Sequence, residues 1–113
     1  MLSGCGKWAG HLAGAALGVA ILVPDPSGKF QTLFDAGQAA AYMQLAAWAL
    51  GIGSYLASIY EGERARQLLG FPSDLDLHIA LSFGYPADLS LLTSPPKPGG
   101  RKPMADLVHW DRW

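Results

Sequence analysis

The sequence predicts an α+β or three-layer α/β domain, in which helices pack against buried strands. Two segments rich in branched apolar residues, 15–23 and 75–83, have the pattern of strands. Between them lie a long apolar helix over 32–50 and a short charged helix over 61–69. With 113 residues, 50% of them hydrophobic and 15% charged, the chain fits one folded domain over 1–113 and excludes a disordered protein.

The first strand and the long helix are separated by a clear turn. Residues 15–23 (AALGVAILV) form the branched apolar run that is typical of a strand buried on both faces. The turn at 24–28 (PDPSG) ends the strand, because two prolines and a glycine cannot continue it. Thr32 is the predicted N-cap of the helix, which should end at Leu50 with Gly51 as its stop.

The long helix is apolar on nearly every side. Among residues 36–50, only Gly37, Gln38 and Gln44 fall outside the apolar class. A surface helix normally keeps one polar face, and a chain of this size can hardly wrap a helix by itself. We therefore expect a partner subunit against this helix and an obligate oligomer.

Shorter elements follow the long helix. Residues 51–59 predict a tight turn that leads into an extended segment, and Gly70 should end the charged helix over 61–69. The second strand, over 75–83, shows partial alternation of apolar and polar residues and stops at the glycine and proline of 84–86.

The two ends of the chain are expected to lie outside the packed core. Residues 1–14 are expected to fray. Residues 87–113 should form an extended C-terminal arm, because three prolines and two glycines lie within 88–100. Trp110 and Trp113 predict that the tail docks onto another surface.

Composition excludes several classes of protein. A net charge of −1 and a pI near 6.2 give no basic surface for nucleic acid. A single cysteine excludes an intramolecular disulfide and a cysteine-based zinc site, and a cytoplasmic location fits it best. His11, His78 and His109 lack metal-ligand spacing, so we expect no metal, and His78 fits a core or edge histidine. No Gly-x-Ser-x-Gly elbow is present, and we predict no catalytic side chain.

A membrane interpretation is the alternative to a water-soluble domain. Residues 2–5 (LSGC) have the lettering of a lipoprotein cleavage site, but the apolar segment follows the cysteine instead of preceding it. Residues 36–60 carry no charge and are long enough to cross a bilayer, although alanine and glutamine make them weakly apolar. A transmembrane hairpin therefore stays open as an interpretation, and solubility without detergent would exclude it.

The best-formed cationic feature is Arg101 followed by Lys102, between the proline-glycine arm and the aromatic tail. Such a pair is often only a solvated surface feature. A guanidinium can also hold a phosphate through two parallel hydrogen bonds. Both interpretations are open on the residues alone.

Several segments together resemble the nitroreductase family of flavin enzymes, and their order and spacing match throughout. They are 34–40 (FDAGQAA), 43–47 (MQLAA), 50–54 (LGIGS), 69–72 (LGFP), 82–86 (SFGYP), 101–103 (RKP) and 107–110 (LVHW). The resemblance implies a nitroreductase-like three-layer α/β/α fold, truncated, with a buried central helix and a C-terminal extension. It also implies an NAD(P)H-dependent oxidoreductase that reduces nitro compounds, quinones or similar acceptors. FMN would be its cofactor, bound at the interface of an intertwined homodimer.

The resemblance also assigns cofactor-binding positions. In the family, backbone groups after the Gly-x-Gly-Ser turn approach the flavin ring near N5. In this sequence those positions are Leu56, Ala57, Ser58 and Ile59. An arginine of the C-terminal motif holds the FMN phosphate in relatives, and Arg101 occupies its place, with Lys102 a weaker candidate. The resemblance therefore favours the phosphate-clamp interpretation.

The sequence departs from the family pattern at its N-terminus. Relatives begin with a portion that supplies an arginine-serine motif for the flavin phosphate and ribityl chain, and an asparagine-containing motif beside the ring. The residues before Ala15 offer no counterpart, so the resemblance is to the C-terminal part of a nitroreductase. The alternative function is therefore a non-catalytic dimerisation remnant that binds FMN weakly or not at all.

Overall fold

The computed structural model describes residues 1–25, 27–95, 99 and 101–113. The strands are β1 (Leu17–Pro24), β2 (Gly53–Ser58) and β3 (Leu75–Gly84). The α-helices are α1 (Phe30–Ala49), α2 (Gly62–Leu69) and the single turn α3 (Ser90–Thr93). Short 3-10 helices cover Leu2–Gly4, Ala9–Gly14 and Met104–Asp106. In these ranges, no helix combines the length and the apolarity that crossing a bilayer requires.

The strands form one antiparallel sheet in the order β1-β3-β2, with a core on each face. Side chains alternate along a strand, so residues 80–83 of β3 point to the two faces in turn, and a β-bulge opposite Ile21 and Leu22 shifts this alternation before Ile79. The core on the α1 side contains Ala40, Ala47, Leu81 and Phe83. The core on the opposite side contains Cys5, Ala9, Ala57, Ile59, Ala65, Phe71, Leu77 and Ala80. Helical layers on both sides of a central sheet confirm the predicted three-layer α+β architecture.

The first strand exists where it was predicted, but it is not buried on both faces. β1 pairs only with β3 and lies at an edge of the sheet, and Val23 is its single buried residue. The central position belongs to β3, in which residues 80–83 are all buried. Branched apolar composition identifies a strand, but pairing with other strands decides whether that strand is central.

The predicted end of the long helix is confirmed, and its predicted start is wrong. Gly51 has φ +72°, a left-handed conformation that glycine adopts at little cost. The helix begins at Phe30, so Thr32 lies inside the first turn and its N–H donates to the Lys29 carbonyl at 3.1 Å. Gly28, at φ +73°, redirects the chain just before Phe30, so the helix starts without a side-chain cap.

The N-terminal residues are packed and do not fray. Cys5 and Ala9 are fully buried and belong to the core beside Ala57 and Ala65. Their burial depends on contacts with residues about fifty positions away in the sequence, which no local pattern reveals.

The C-terminal arm is partly helical instead of fully extended. The Asp88 carboxylate accepts the Ser90 N–H at 2.9 Å and starts α3, and these hydrogen bonds to Ser90 lower the pKa of Asp88. Pro96, Lys97, Pro98 and Gly100, on which part of the expectation rests, lie outside the described residues, as does Pro26 of the first turn. Every residue over 101–113 is exposed, so the expected docking of the tail has no partner surface within the described chain.

Candidate functional site

The segment 56–59 runs along the outer edge of the sheet. The Ile59 N–H donates to the His78 carbonyl of β3 at 2.9 Å, which fixes the phase of the ladder. Hydrogen-bonded pairs alternate along antiparallel strands, so the N–H groups of Ala57 and Ile59 point to β3. The N–H groups of Leu56 and Ser58 therefore point to the edge of β2 that pairs with no other strand of the described residues, and Gly6 packs against the Ser58 carbonyl.

The side chains of this segment alternate as the strand requires. Ala57 and Ile59 are buried in the core under the sheet, whereas Leu56 and Ser58 are exposed. The segment consequently offers backbone donors and one hydroxyl to a ligand, and the buried side chains fix its position. The structure brings together these four sequence-predicted positions.

Arg101 and Lys102 are not joined to this segment. Both are exposed, and within the described ranges neither makes an ion pair or a side-chain hydrogen bond. They lie at the start of the exposed tail, so their guanidinium and ammonium groups are available to an external anion. Among the described residues, no hydrogen bond or ion pair joins these two groups to residues 56–59.

A second feature near residues 56–59 is a backbone contact that no local sequence pattern indicates. The N–H groups of Tyr60 and Glu61 both donate to the carbonyl of Cys5, at 2.9 and 3.1 Å. The N-terminal segment therefore contacts the chain directly after Ile59, the last residue of the candidate segment. Only the three-dimensional structure reveals this contact.

A cleft of about 380 Å³ lies at the other end of β2, beside Ser54, Tyr55 and Ser82. Behind it, His11 Nδ1 lies 2.7 Å from Ser82 Oγ, and the His11 ring meets the Tyr55 ring edge-on at 4.8 Å. His11 is thus a histidine of the packed fold, which its sequence neighbours did not indicate. Among the described residues, no group of three or more histidine, cysteine or acidic side chains could hold a metal ion.

Comparison with known families decides the relationship that this geometry leaves open. The model of the nitroreductase family matches residues 5–85, which include α1, β2 and β3. The chain belongs to the nitroreductase family. The match begins ten residues before Ala15, so the family likeness includes the buried N-terminal segment, and it stops before Arg101 and Lys102.

A solved structure is similar in fold to nearly the whole chain, including the tail. A candidate NADH dehydrogenase/NAD(P)H nitroreductase from Bacteroides thetaiotaomicron VPI-5482 superposes with a TM-score of 0.75 at 22% identity. The alignment covers 99% of this chain and 64% of the Bacteroides chain, and at this identity it shows a shared fold. A comparison with curated proteins gave no match.

Proposed function

We propose that this nitroreductase-family chain is an FMN-dependent oxidoreductase that uses NADH or NADPH to reduce nitro compounds, quinones or similar acceptors. The observation that carries the proposal is the outer edge of β2, where the Leu56 and Ser58 N–H groups are directed away from the sheet. Bound FMN would supply the hydride-transfer chemistry. We also propose a cytoplasmic location, with which the single buried thiol of Cys5 agrees.

The donors of this edge suit a flavin ring. Nitrogen and carbonyl positions of the ring accept hydrogen bonds, and backbone N–H groups held by a sheet are pre-oriented donors. The buried side chains of Ala57 and Ile59 hold the strand in place, so the Leu56 and Ser58 N–H groups would orient the ring. No side chain of the segment is assigned a covalent or acid–base role.

The cations of the tail suit the phosphate of FMN. Arg101 would hold the phosphate through paired hydrogen bonds, and Lys102 would add a second positive charge. Because no hydrogen bond or ion pair of the described chain joins the tail cations to β2, a second copy of the chain is proposed to bring these groups together.

The surface area of the chain supports a homodimer. A folded monomer of 12.0 kDa is expected to expose about 6,000 Å², whereas this chain exposes 8452 Å². The surplus is of the size that obligate subunits bury against each other. Much of the exposed apolar surface forms an outer stripe of α1, which consists of Phe30, Phe34, Gly37, Ala41, Leu45 and Trp48.

Replacing Arg101 tests the phosphate clamp. We expect Arg101→Ala to weaken FMN binding about tenfold, because hydrogen bonds to charged groups contribute more than neutral ones. Fluorescence titration with FMN measures the dissociation constant. Arg112→Ala is the matched control, since it removes an exposed cation from the same tail. Equal affinity of the Arg101→Ala variant and the unmodified chain would contradict the clamp.

A non-catalytic dimerisation remnant is the second candidate function. The observation that favours it is the separation of Arg101 and Lys102 from β2 within the described chain. A stable dimer that stays colourless after incubation with FMN would support this candidate and contradict the flavoenzyme.

A further inference from the structure

The N-terminal segment is attached to the chain directly after the candidate flavin-contacting segment. The Cys5 carbonyl accepts two successive N–H groups, those of Tyr60 and Glu61, at 2.9 and 3.1 Å. Two donors on one carbonyl fix its position more firmly than a single hydrogen bond, since each restricts the direction of the other. Residues 4–6 are called the N-terminal anchor below.

Gly6 makes this attachment possible. A Cβ at position 6 would overlap the Ser58 carbonyl oxygen and crowd the Ala9 side chain. The obstructing atom belongs to the backbone of a strand, so it cannot move aside as a flexible side chain could. Only glycine lets the anchor lie this close to Ser58.

Arg64, which lies in α2, makes a further contact with the anchor. Its Nη1 donates to the Glu61 carboxylate at 3.0 Å and to the Gly4 carbonyl at 3.4 Å. The hydrogen bond to Glu61 and the charge of that carboxylate raise the pKa of Arg64. Because both side chains are exposed, this pair contributes little by itself, and the backbone contacts of Cys5 and Gly6 dominate.

We infer that Gly6 is a positioning residue for the flavin-contacting segment, acting through the Cys5 carbonyl and Ser58. This inference rests on the proposed function. The segment is held from one side by the Ile59 hydrogen bond to His78 and from the other by the anchor. The direction of the Ser58 N–H at the sheet edge depends on the hydrogen bond of Ile59 to His78 and on the contact with the anchor. A displacement of the anchor therefore turns the donor away from the ring it would orient.

The variant Gly6→Ala tests this positioning by two measurements. Hydrogen exchange of the Tyr60 and Glu61 amides should accelerate about tenfold or more, because the added Cβ pushes the Cys5 carbonyl away. FMN binding should weaken about tenfold, and the absorbance maximum of bound FMN should shift. Gly10→Ala is the matched control, because no atom lies within 4 Å of a Cβ built at Gly10.

A second control separates positioning from general loss of stability. Gly51 has φ +72°, so Gly51→Ala strains the backbone, although there is space for the added Cβ. This variant should lower the free energy of unfolding. Exchange at Tyr60 and Glu61 should then change only as much as the loss of global stability requires. If Gly6→Ala does not fold, hydrogen exchange of the unmodified chain replaces it. The Tyr60 and Glu61 amides should then exchange at least about tenfold more slowly than in an unstructured peptide, because both donate to the Cys5 carbonyl.

Two results would overturn the inference. Unchanged exchange at Tyr60 and Glu61 in Gly6→Ala, or unprotected Tyr60 and Glu61 amides in the unmodified chain where Gly6→Ala does not fold, shows that the anchor does not hold the segment. Faster exchange with unchanged FMN affinity and spectrum shows that the anchor is structural only. Failure of the unmodified chain to bind FMN contradicts the proposed function instead, and the exchange measurement still decides whether the anchor exists.

Discussion

Leu45→Glu is expected to dissociate the proposed dimer into monomers. Leu45 is 65% exposed in the single chain and lies on the outer stripe of α1, as the member before its last, Trp48. In an isolated monomer, an exposed substitution of this kind changes stability little. In a dimer that buries the stripe, the carboxylate would lose its hydration without gaining a partner. We expect the dimer dissociation constant to rise about a hundredfold or more.

Sedimentation over a range of concentrations measures this effect directly. The matched control is Leu69→Glu, which places the same charge on α2, on the other side of the sheet, at a residue that is 48% exposed. A Leu45→Glu chain that keeps the dimer affinity of the unmodified chain would exclude the outer stripe from the interface.

Leu81→Ala is expected to cause the largest loss of folding free energy. Leu81 is fully buried on the central strand β3 and is the largest such side chain on the described chain. Removing its branched end leaves a cavity between the sheet and α1, and such changes cost about 3 kcal/mol. A domain of this size has a total stability of only about 5–15 kcal/mol, so a substantial fraction is lost.

Urea unfolding at one fixed chain concentration measures the free energy, because association also stabilises the folded state. Leu91→Ala is the control, since Leu91 is 66% exposed and its truncation should cost less than about 0.5 kcal/mol. A loss below 1 kcal/mol for Leu81→Ala would show that the core on the α1 side is not closely packed.

Local signals in the sequence located most of the elements. Gly51 and Gly70 end their helices with φ +72° each, as glycine after an apolar or charged helical run predicts. The strands β1 and β3 were also located within two residues of their bounds, and β2 lies in the region predicted as a turn followed by an extended segment. These features depend on a few neighbouring residues, so a local pattern is sufficient to find them.

Long-range contacts account for what the sequence did not reveal. The composition of β1 predicted a strand buried on both faces, but the central strand of the sheet is β3. Which of two apolar strands is central depends on how the strands pair. Burial of Cys5 depends on the distant segment around Ala57. Thr32 is a good capping residue, yet the helix begins two residues earlier, at Phe30, directly after the turn in which Gly28 has a positive φ.

The candidate site divides in the same way. Residues 56–59 follow a recognisable glycine turn, and their position on a sheet edge agrees with a role for their backbone N–H groups. The anchor formed by Cys5 and Gly6 has no sequence signal, because two glycines within three residues are common in any loop. The relation of Arg101 to β2 stays a prediction, because no contact between them is present among the described residues.

Flavin content per chain, measured together with native mass, tests the central claim most directly. The chain purified after incubation with FMN should form a yellow particle of about 24 kDa, twice the 12.0 kDa chain, with one FMN for each chain. The backbone N–H groups of Leu56 and Ser58 and the cations of the tail would then serve one ligand. A folded, colourless monomer that takes up no FMN would contradict the account.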